Sequence, residues 1–304
     1  MKKQFTNLFD LQKYFKTDAK CIKHLEQWRW QNGIACPHCG NTTYYTYADG
    51  KTYRCMAKEC DSKFNVLIGT FFENTKLPLR KWFMAIYLVA NHSKGISSVQ
   101  LSHDIGVTQK TAWFLLHRIR GLFKSIDNTQ LNGIVEADET YIGGVPSNKH
   151  ASRKIEHGEH KTRAHQVVFG AIQRGGKVMA QHVPTKGKVY LWSAIDTMVE
   201  KGATLITDEL TVYKNIQNYN HLVINHASKK YVQGSTHTQS IENFWSILKR
   251  GLYGVYHSVS PKHLNKYVTE FAARFNNREL SQLDRFNLFL SNCNGRLKYA
   301  DLII

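Results

Sequence analysis

The chain has no apolar run near the roughly 20 residues that a membrane span requires. Its longest candidate, WFMAIYLVA at 82–90, fits a buried helix instead. The first residues, MKKQFTNLFDLQKYF, begin with two lysines, but no continuous apolar stretch follows them, so they do not read as a secretory signal. There is no internal repeat and no low-complexity segment. Acids are scarce, with 23 Asp and Glu against 41 Lys and Arg, a formal charge of +18 and an isoelectric point near 9.6. The missing span and signal argue against a membrane or secreted protein. The expected setting is cytoplasmic and reducing, nucleoid-associated if the source is bacterial, and cysteines there are more often metal ligands than disulfides. The missing acids point to a polyanionic partner, because Lys and Arg placed on phosphates release condensed counterions. A nucleic acid is the expected partner, and no membrane.

What is present supports a packed globular protein: 42% hydrophobic and 12% aromatic residues. At 304 residues the chain exceeds what one core usually organises. Changes of pattern suggest an N-terminal segment with a metal ribbon at 1–72, a helical region at 73–128 and an α/β domain at 129–304.

Four of the six cysteines form two close pairs, CPHCG (Cys36, Cys39) and CMAKEC (Cys55, Cys60), with 15 residues between them. Zinc takes four such ligands at tetrahedral corners, and each short knuckle delivers two thiolates to one side of the ion. The intervening TTYYTYADGKTYRC alternates around the turn ADG as a β-hairpin does. The expectation is a zinc ribbon holding one structural Zn²⁺. His38 lies inside the first knuckle, but four thiolates suffice. Cys21 and Cys293 stand alone and read as core residues.

The segment 77–123 is helix-periodic, and its second half reads as helix-turn-helix. Ser97 and Ser98 cap a helix carrying Val99, Leu101 and Ile105 inward, Gly106 makes the turn, and Thr108 caps a helix whose Ala112, Leu115, Leu116 and Ile119 face the core. Gln109, Lys110 and Thr111 near the start of the second helix are candidate DNA contacts, and His117, Arg118 and Arg120 are expected to continue a basic face.

From about 130 the pattern turns to strands. GIVEADETYIGG, HQVVFGAIQRGGKVMAQHV with a turn at Gly175–Gly176, GATLITDEL and HLVINH are strand-like, and 188–202 and 239–256 are helical. Strand, hairpin, helix, strand, helix, strand and helix is an α/β layered order. Asp138 falls on the first strand, Asp208 near the end of the fourth, and Glu242 in the first turn of the late helix. Each alone reads as a turn or cap residue. Together they are a set of hard oxygen ligands drawn from separate elements, as two Mg²⁺ or Mn²⁺ ions require for in-line phosphoryl displacement. From Glu242, Ser246 and Lys249 share a helix face, and Lys249, with Arg250, is placed to contact a phosphate. Ile241, Phe244, Ile247 and Leu248 form the opposite, core face. Trp245 reads either as a base-stacking residue or as a half-buried packing residue. The polar insertion 145–165 carries four histidines (150, 157, 160 and 165) with Arg153, Lys154 and Lys161, and reads as a surface loop. Residues 258–278 read as a Pro-started amphipathic helix, with Arg274, Asn276, Asn277 and Arg278 near its end as further phosphate candidates.

EADETYIGG, ITDEL with Tyr213, the long block IENFWSILKRGLYGVYHSVSPKHLNKYVTEFAARFNNR and the CPHCG knuckle together resemble bacterial insertion-sequence transposases of the DDE class, in the subgroup with an N-terminal zinc ribbon and an ISXO-like transposase domain. The likeness runs over nearly the whole chain. It implies an RNase H-like core, a mixed sheet flanked by helices, with Asp138, Asp208 and Glu242 as metal-binding acids and Lys249 as the basic residue seven positions after the third acid. Some relatives carry Asn or His as the third residue, which makes Asn243 and His237 local rivals of Glu242. It also implies double-stranded DNA as the partner, both the element's inverted-repeat ends and the target, with metal-dependent strand cleavage and strand transfer by a dimer or larger assembly. A nuclease on the same fold that does not join strands, and a non-catalytic DNA-binding protein, are the alternatives.

Overall fold

The computed structural model describes residues 5–123, 129–143, 165–224 and 238–295, which fall into two compact units. One unit contains the described residues up to 123 together with those from 280 onward, and the other runs from 129 to 279.

In the first unit, helices α1 (Leu8–Tyr14) and α2 (Asp18–Arg29) precede a three-stranded antiparallel ribbon of β1 (Tyr44–Thr46), β2 (Tyr53–Cys55) and β3 (Lys63–Phe64). Then come α3 (Leu79–Asn91), α4 (Ser98–Ile105) and α5 (Gln109–Leu122), and the last helix among the described residues, α9 (Gln282–Ser291), packs on α3. Side chains of Asn7, Thr17, Ser97, Thr108 and Ser281 each accept an amide hydrogen in the first turn of their helices. Such caps contribute about 1 kcal/mol apiece. Phe286 of α9 meets Phe5, Phe15, Phe83 and Tyr87 at ring distances of 5.4–6.3 Å, so the carboxy-terminal helix shares a core with the amino-terminal ones rather than with the α/β unit before it.

The helix-turn-helix pair forms as its caps and turn suggest, with Gly106 left-handed at φ 61°. Two of its faces differ from expectation. Val99 is 55% exposed, because it lies two residues, about 200° of rotation at about 100° per residue, before Leu101, whereas Leu101, Ser102 and Ile105 form the buried face. His117 and Arg120 are buried among the core positions of α5, and Arg118 lies over the Trp82 ring at 5.6 Å. The periodicity of α5 therefore carries these cations into the protein and not along a solvated basic face.

The second unit is a five-stranded mixed sheet in the order β6-β5-β4-β7-β8. Strands β4 (Ile134–Ile142), β5 (Gln166–Gln173) and β6 (Val178–Val183) are antiparallel neighbours, and β7 (Thr204–Asp208) and β8 (Asn220–Ile224) extend the sheet in parallel from β4. Helix α6 (Lys188–Met198) covers one face, where Val135, Ala137, Phe169, Leu191, Ile195 and Leu205 form a core. Helices α7 (Gln239–Gly251) and α8 (Pro261–Asn276) cover the other, against Val168, Ile172 and Val178. This is the RNase H-like arrangement that the resemblance implies. The strand–helix order departs from expectation once: β7 and β8 are joined through a single 3₁₀ turn, Thr211–Tyr213, without a crossover helix.

The end of α8 also differs from the phosphate-binding expectation. Arg274 is buried in a pair with Glu270 at 2.5 Å, Asn276 brackets the backbone of Val178, Asn277 caps Ala273, and Arg278 donates to the Phe275 carbonyl. An arginine on the core side of an amphipathic helix needs a buried acid, and this one has it. The insertion residues 144–164, with His150, His157 and His160, Arg153, Lys154 and Lys161, lie outside the described residues, as does His237.

Candidate functional site

The ribbon brings its four cysteines together. The antiparallel register sets Tyr44 opposite Cys55 and Tyr53 opposite Phe64, and the hairpin turn is closed by Asp49, whose carboxylate accepts the amides of Lys51 and Thr52. Cys36 and Cys60 Sγ are 3.8 Å apart, Cys39 and Cys55 Sγ 3.5 Å, and all four sulfurs lie within 4.8 Å of one another. A tetrahedron with zinc–sulfur arms of about 2.3 Å has edges of about 3.8 Å, so the donor set fits one zinc ion. His38 is exposed and takes no part in the cluster. Around the sulfurs Trp30, Tyr44, Tyr53 and Phe64 form a small aromatic core. Nothing in this set offers an open coordination position, and its role is structural.

In the α/β unit the three acids come from three elements. Glu136 of β4 pairs with Ile206 of β7, and Asp138 and Asp208 each lie two residues further along these parallel strands. Neighbouring strands lie about 4.8 Å apart. Asp208 ends its strand, with one carboxylate oxygen accepting the Leu210 amide at 3.2 Å. Glu242 lies in the first turn of α7, exposed, on one face with Ser246 and the half-buried Lys249. Asp138 and Asp208 are partly open to solvent, so the group is not sealed beneath the core. Burial pushes the Asp138 carboxyl up to about 6, the Trp245 hydrogen bond opposes that shift, and the charges of Asp208 and Glu242 add to it. A desolvated carboxyl flanked by two further acids is the environment a divalent cation relieves. Among the described residues only the cysteines bring three or more ligand atoms within 4.8 Å of one another, and the carboxylates are more widely set.

Two neighbours of Asp138, visible in the same sequence motif, acquire roles only in three dimensions. Glu136 is fully buried and accepts the amides of Ser240 and Ile241 at 2.9 and 3.2 Å, the Ser240 hydroxyl at 3.0 Å and the Arg174 guanidinium at 3.1 Å. It satisfies the first orphan amides of α7 and complements that helix's positive end. The position of Glu242 is thus tied to the strand that carries Asp138. Glu139 points to the opposite face, where the Tyr213 hydroxyl donates to it at 2.5 Å. Burial raises the Glu139 carboxyl to about 7, opposed by the Tyr213 bond and assisted by Asp208 and Asp138. The signal for Glu136 was strand alternation: residues 136 and 138 share a face, and a buried acid there requires donors.

Of the remaining candidates, Trp245 is buried, with its indole on Asp138, and does not present a ring for stacking. Arg250 is exposed beside Lys249 and donates to the Ser246 carbonyl. In the first unit Gln109, Lys110 and Thr111 are exposed in the first turn of α5, with the Gln109 amide donating to the Ser98 hydroxyl. Arg118 is half-buried, and burial pushes its guanidinium below the usual range.

Two family models match the chain. Residues 130–276 match the ISXO2-like transposase domain, and residues 16–63 match the transposase zinc-ribbon domain. The chain is also similar to a protein described as "Uncharacterized protein in transposable element ISH50" from Halobacterium salinarum (strain ATCC 700922 / JCM 11081 / NRC-1). The two are 28% identical over 278 residues, covering 86% of this chain and 92% of the relative. That relative is archaeal, so the likeness is not confined to bacterial sequences.

Proposed function

The chain belongs to the insertion-sequence transposases that carry a zinc ribbon ahead of an ISXO2-like domain, and from that membership we propose that it binds the inverted-repeat ends of its element, cleaves a DNA strand there and joins the freed 3′-OH to target DNA. Asp138, Asp208 and Glu242 would hold two Mg²⁺ or Mn²⁺ ions. When bound, such ions supply charge stabilisation at the attacking and leaving oxygens of an in-line displacement. The protein's part is placement. Two adjacent parallel strands and the anchored end of α7 present the carboxylates from fixed backbone, so no reorganisation is needed when the substrate arrives.

In the first step water attacks phosphorus, the bond to the 3′ oxygen breaks, and that oxygen leaves as a 3′-OH opposite a 5′ phosphate. In the second the 3′-OH attacks a target phosphodiester and displaces a target 3′ oxygen. Both are substitutions at phosphorus and use one set of residues. Lys249, on the Glu242 face of α7, and Arg250 beside it contact the phosphate backbone, and Gln109, Lys110 and Thr111 contact DNA from the helix-turn-helix. The joining of two ends calls for a dimer or larger assembly.

The observation that carries this reading is that Asp138 and Asp208 lie two residues beyond the paired Glu136 and Ile206 on adjacent strands, with the charges of Asp208 and Glu242 both felt at Asp138, and Glu242 on a helix pinned to the same strand through Glu136. The test is a strand-transfer assay with labelled terminal-repeat DNA and Mg²⁺. Joined products are expected. Nicks without joining would indicate a nuclease, and retention without cleavage a DNA-binding protein.

A further inference from the structure

We propose that Trp245 is a positioning residue for Asp138: its indole N–H engages one carboxylate oxygen and so sets how the first acid is presented to a divalent cation. The inference rests on the assignment of Asp138 as a cation ligand. Trp245 lies on the inner face of α7, three residues after Glu242, and is 5% exposed. Its Nε1 donates to Asp138 Oδ2 at 2.9 Å. An indole N–H is a donor only, so it binds the carboxylate without competing for the cation.

The sheet is shaped to admit this ring. Asp138 pairs across β4 and β5 with Gly170, and a Cβ built there would lie 2.6 Å from Trp245 Cη2 and 3.0 Å from Cζ2. Any side chain at 170 would thus displace the indole and with it the N–H. Gly170 is in ordinary strand conformation, so the close approach of the ring, and not backbone strain, is the reason a side chain is excluded.

Strand and helix are joined at two levels. Glu136 holds the Ser240 and Ile241 amides before Glu242, and Asp138 accepts from Trp245 after it. The first contact secures the helix. The second ties the orientation of the first acid to the helix that carries the third. Removing it leaves α7 attached through Glu136, so the consequence falls on cation binding more than on folding. Groups that orient a metal ligand in this way typically change metal affinity 10- to 100-fold when removed.

The experiment compares wild type, Trp245→Phe and Asp138→Asn as full-length, zinc-loaded protein. It measures Mn²⁺ binding by electron paramagnetic resonance, and cleavage of terminal-repeat DNA against Mg²⁺ concentration. For Trp245→Phe the Mn²⁺ dissociation constant and the half-saturating Mg²⁺ concentration are expected to rise about 10- to 100-fold, more than the saturated rate falls. A lower saturated rate or melting temperature with an unchanged metal requirement would indicate packing alone and overturn the proposal. Asp138→Asn separates the two ideas. If that variant binds Mn²⁺ and cleaves as wild type does, the ligand assignment itself fails. If it is inactive while Trp245→Phe keeps wild-type Mn²⁺ affinity, the assignment stands and the role of Trp245 is refuted. Should Trp245→Phe not fold, 3-benzothienylalanine at position 245 preserves the ring shape and replaces N–H by sulfur. The same rise is expected, and unchanged affinity would again overturn the proposal.

Discussion

The cysteine cluster and the carboxylate cluster hold their ligands in opposite ways. The four sulfurs come from a stretch of 25 residues, Cys36 to Cys60, and already lie within 4.8 Å of one another. Little else holds the ribbon: its strands are two or three residues long and its core is a handful of aromatics. The three acids come from positions 138 to 242: two stand on a five-stranded sheet with a helix-covered core on each face, and the third on one of the covering helices. In the ribbon a bound zinc ion would be a principal source of stability. In the α/β unit the scaffold places the acids, and buried protein contacts hold them despite their repulsion. A structural metal can organise its own ligands, whereas a catalytic one benefits from ligands organised beforehand.

That contrast can be broken at its strongest point first. Stripping zinc, or Cys36→Ser, removes a binding free energy on the order of 10 kcal/mol that is also folding free energy for the ribbon. Loss of the fluorescence change on unfolding reported by Trp30 and Tyr53, together with about one zinc per untreated chain by elemental analysis, is the expected result. A metal-free ribbon that keeps its fold would refute the distinction. Next, Asp138→Asn or Asp208→Asn is expected to lower cleavage by at least about ten-thousand-fold, since metal-ligand charge contributes several kcal/mol to the transition state. DNA affinity, measured by gel shift, should remain close to wild type, and full cleavage by either variant would remove that residue from the site.

Glu136→Ala leaves the Arg174 cation and the first amides of α7 without their buried acceptor. Breaking such a set costs about 3–5 kcal/mol, to be read by denaturant unfolding, and an effect below about 1 kcal/mol would mean that α7 is held by its apolar face alone. The smallest effect concerns the first unit. His24 is buried against Phe15, Trp28, Phe83 and Phe286, and burial lowers it from 6.5 to about 4. Its folded value lies below its unfolded one, so the unfolded chain binds the extra proton between those values. Stability is therefore fully present above about pH 6.5 and declines as pH falls to about 4, by on the order of 3 kcal/mol in total. His24→Leu should flatten that pH dependence in thermal melts, and an unchanged slope would assign it to other groups.

The parts that were legible in advance share a local cause. The ribbon follows from cysteine spacing and one turn, the helix-turn-helix from Ser97, Gly106 and Thr108, and the strand carrying Asp138 from its β-rich composition. Misread faces arose where neighbours decide orientation. The cations of α5 sit inward because that helix is buried on more than one side, and Arg274 sits inward because Glu270 receives it. The carboxy-terminal helix gave no sign of its destination, since an amphipathic stripe records that a face is covered and not by what.

Sequence alone determined the chemistry available to this protein: thiolates at zinc spacing, acids among strands, and an excess of cations suited to a phosphate backbone. These follow from residue identity and short-range geometry. Only the tertiary structure decided which acids serve which end. Glu136, Asp138 and Glu139 are nearly consecutive, yet one caps a helix, one stands beside Asp208 and one meets Tyr213 on the far face. Alternation of a strand sends neighbouring side chains to opposite environments, and what waits in each environment is set by residues distant in the chain.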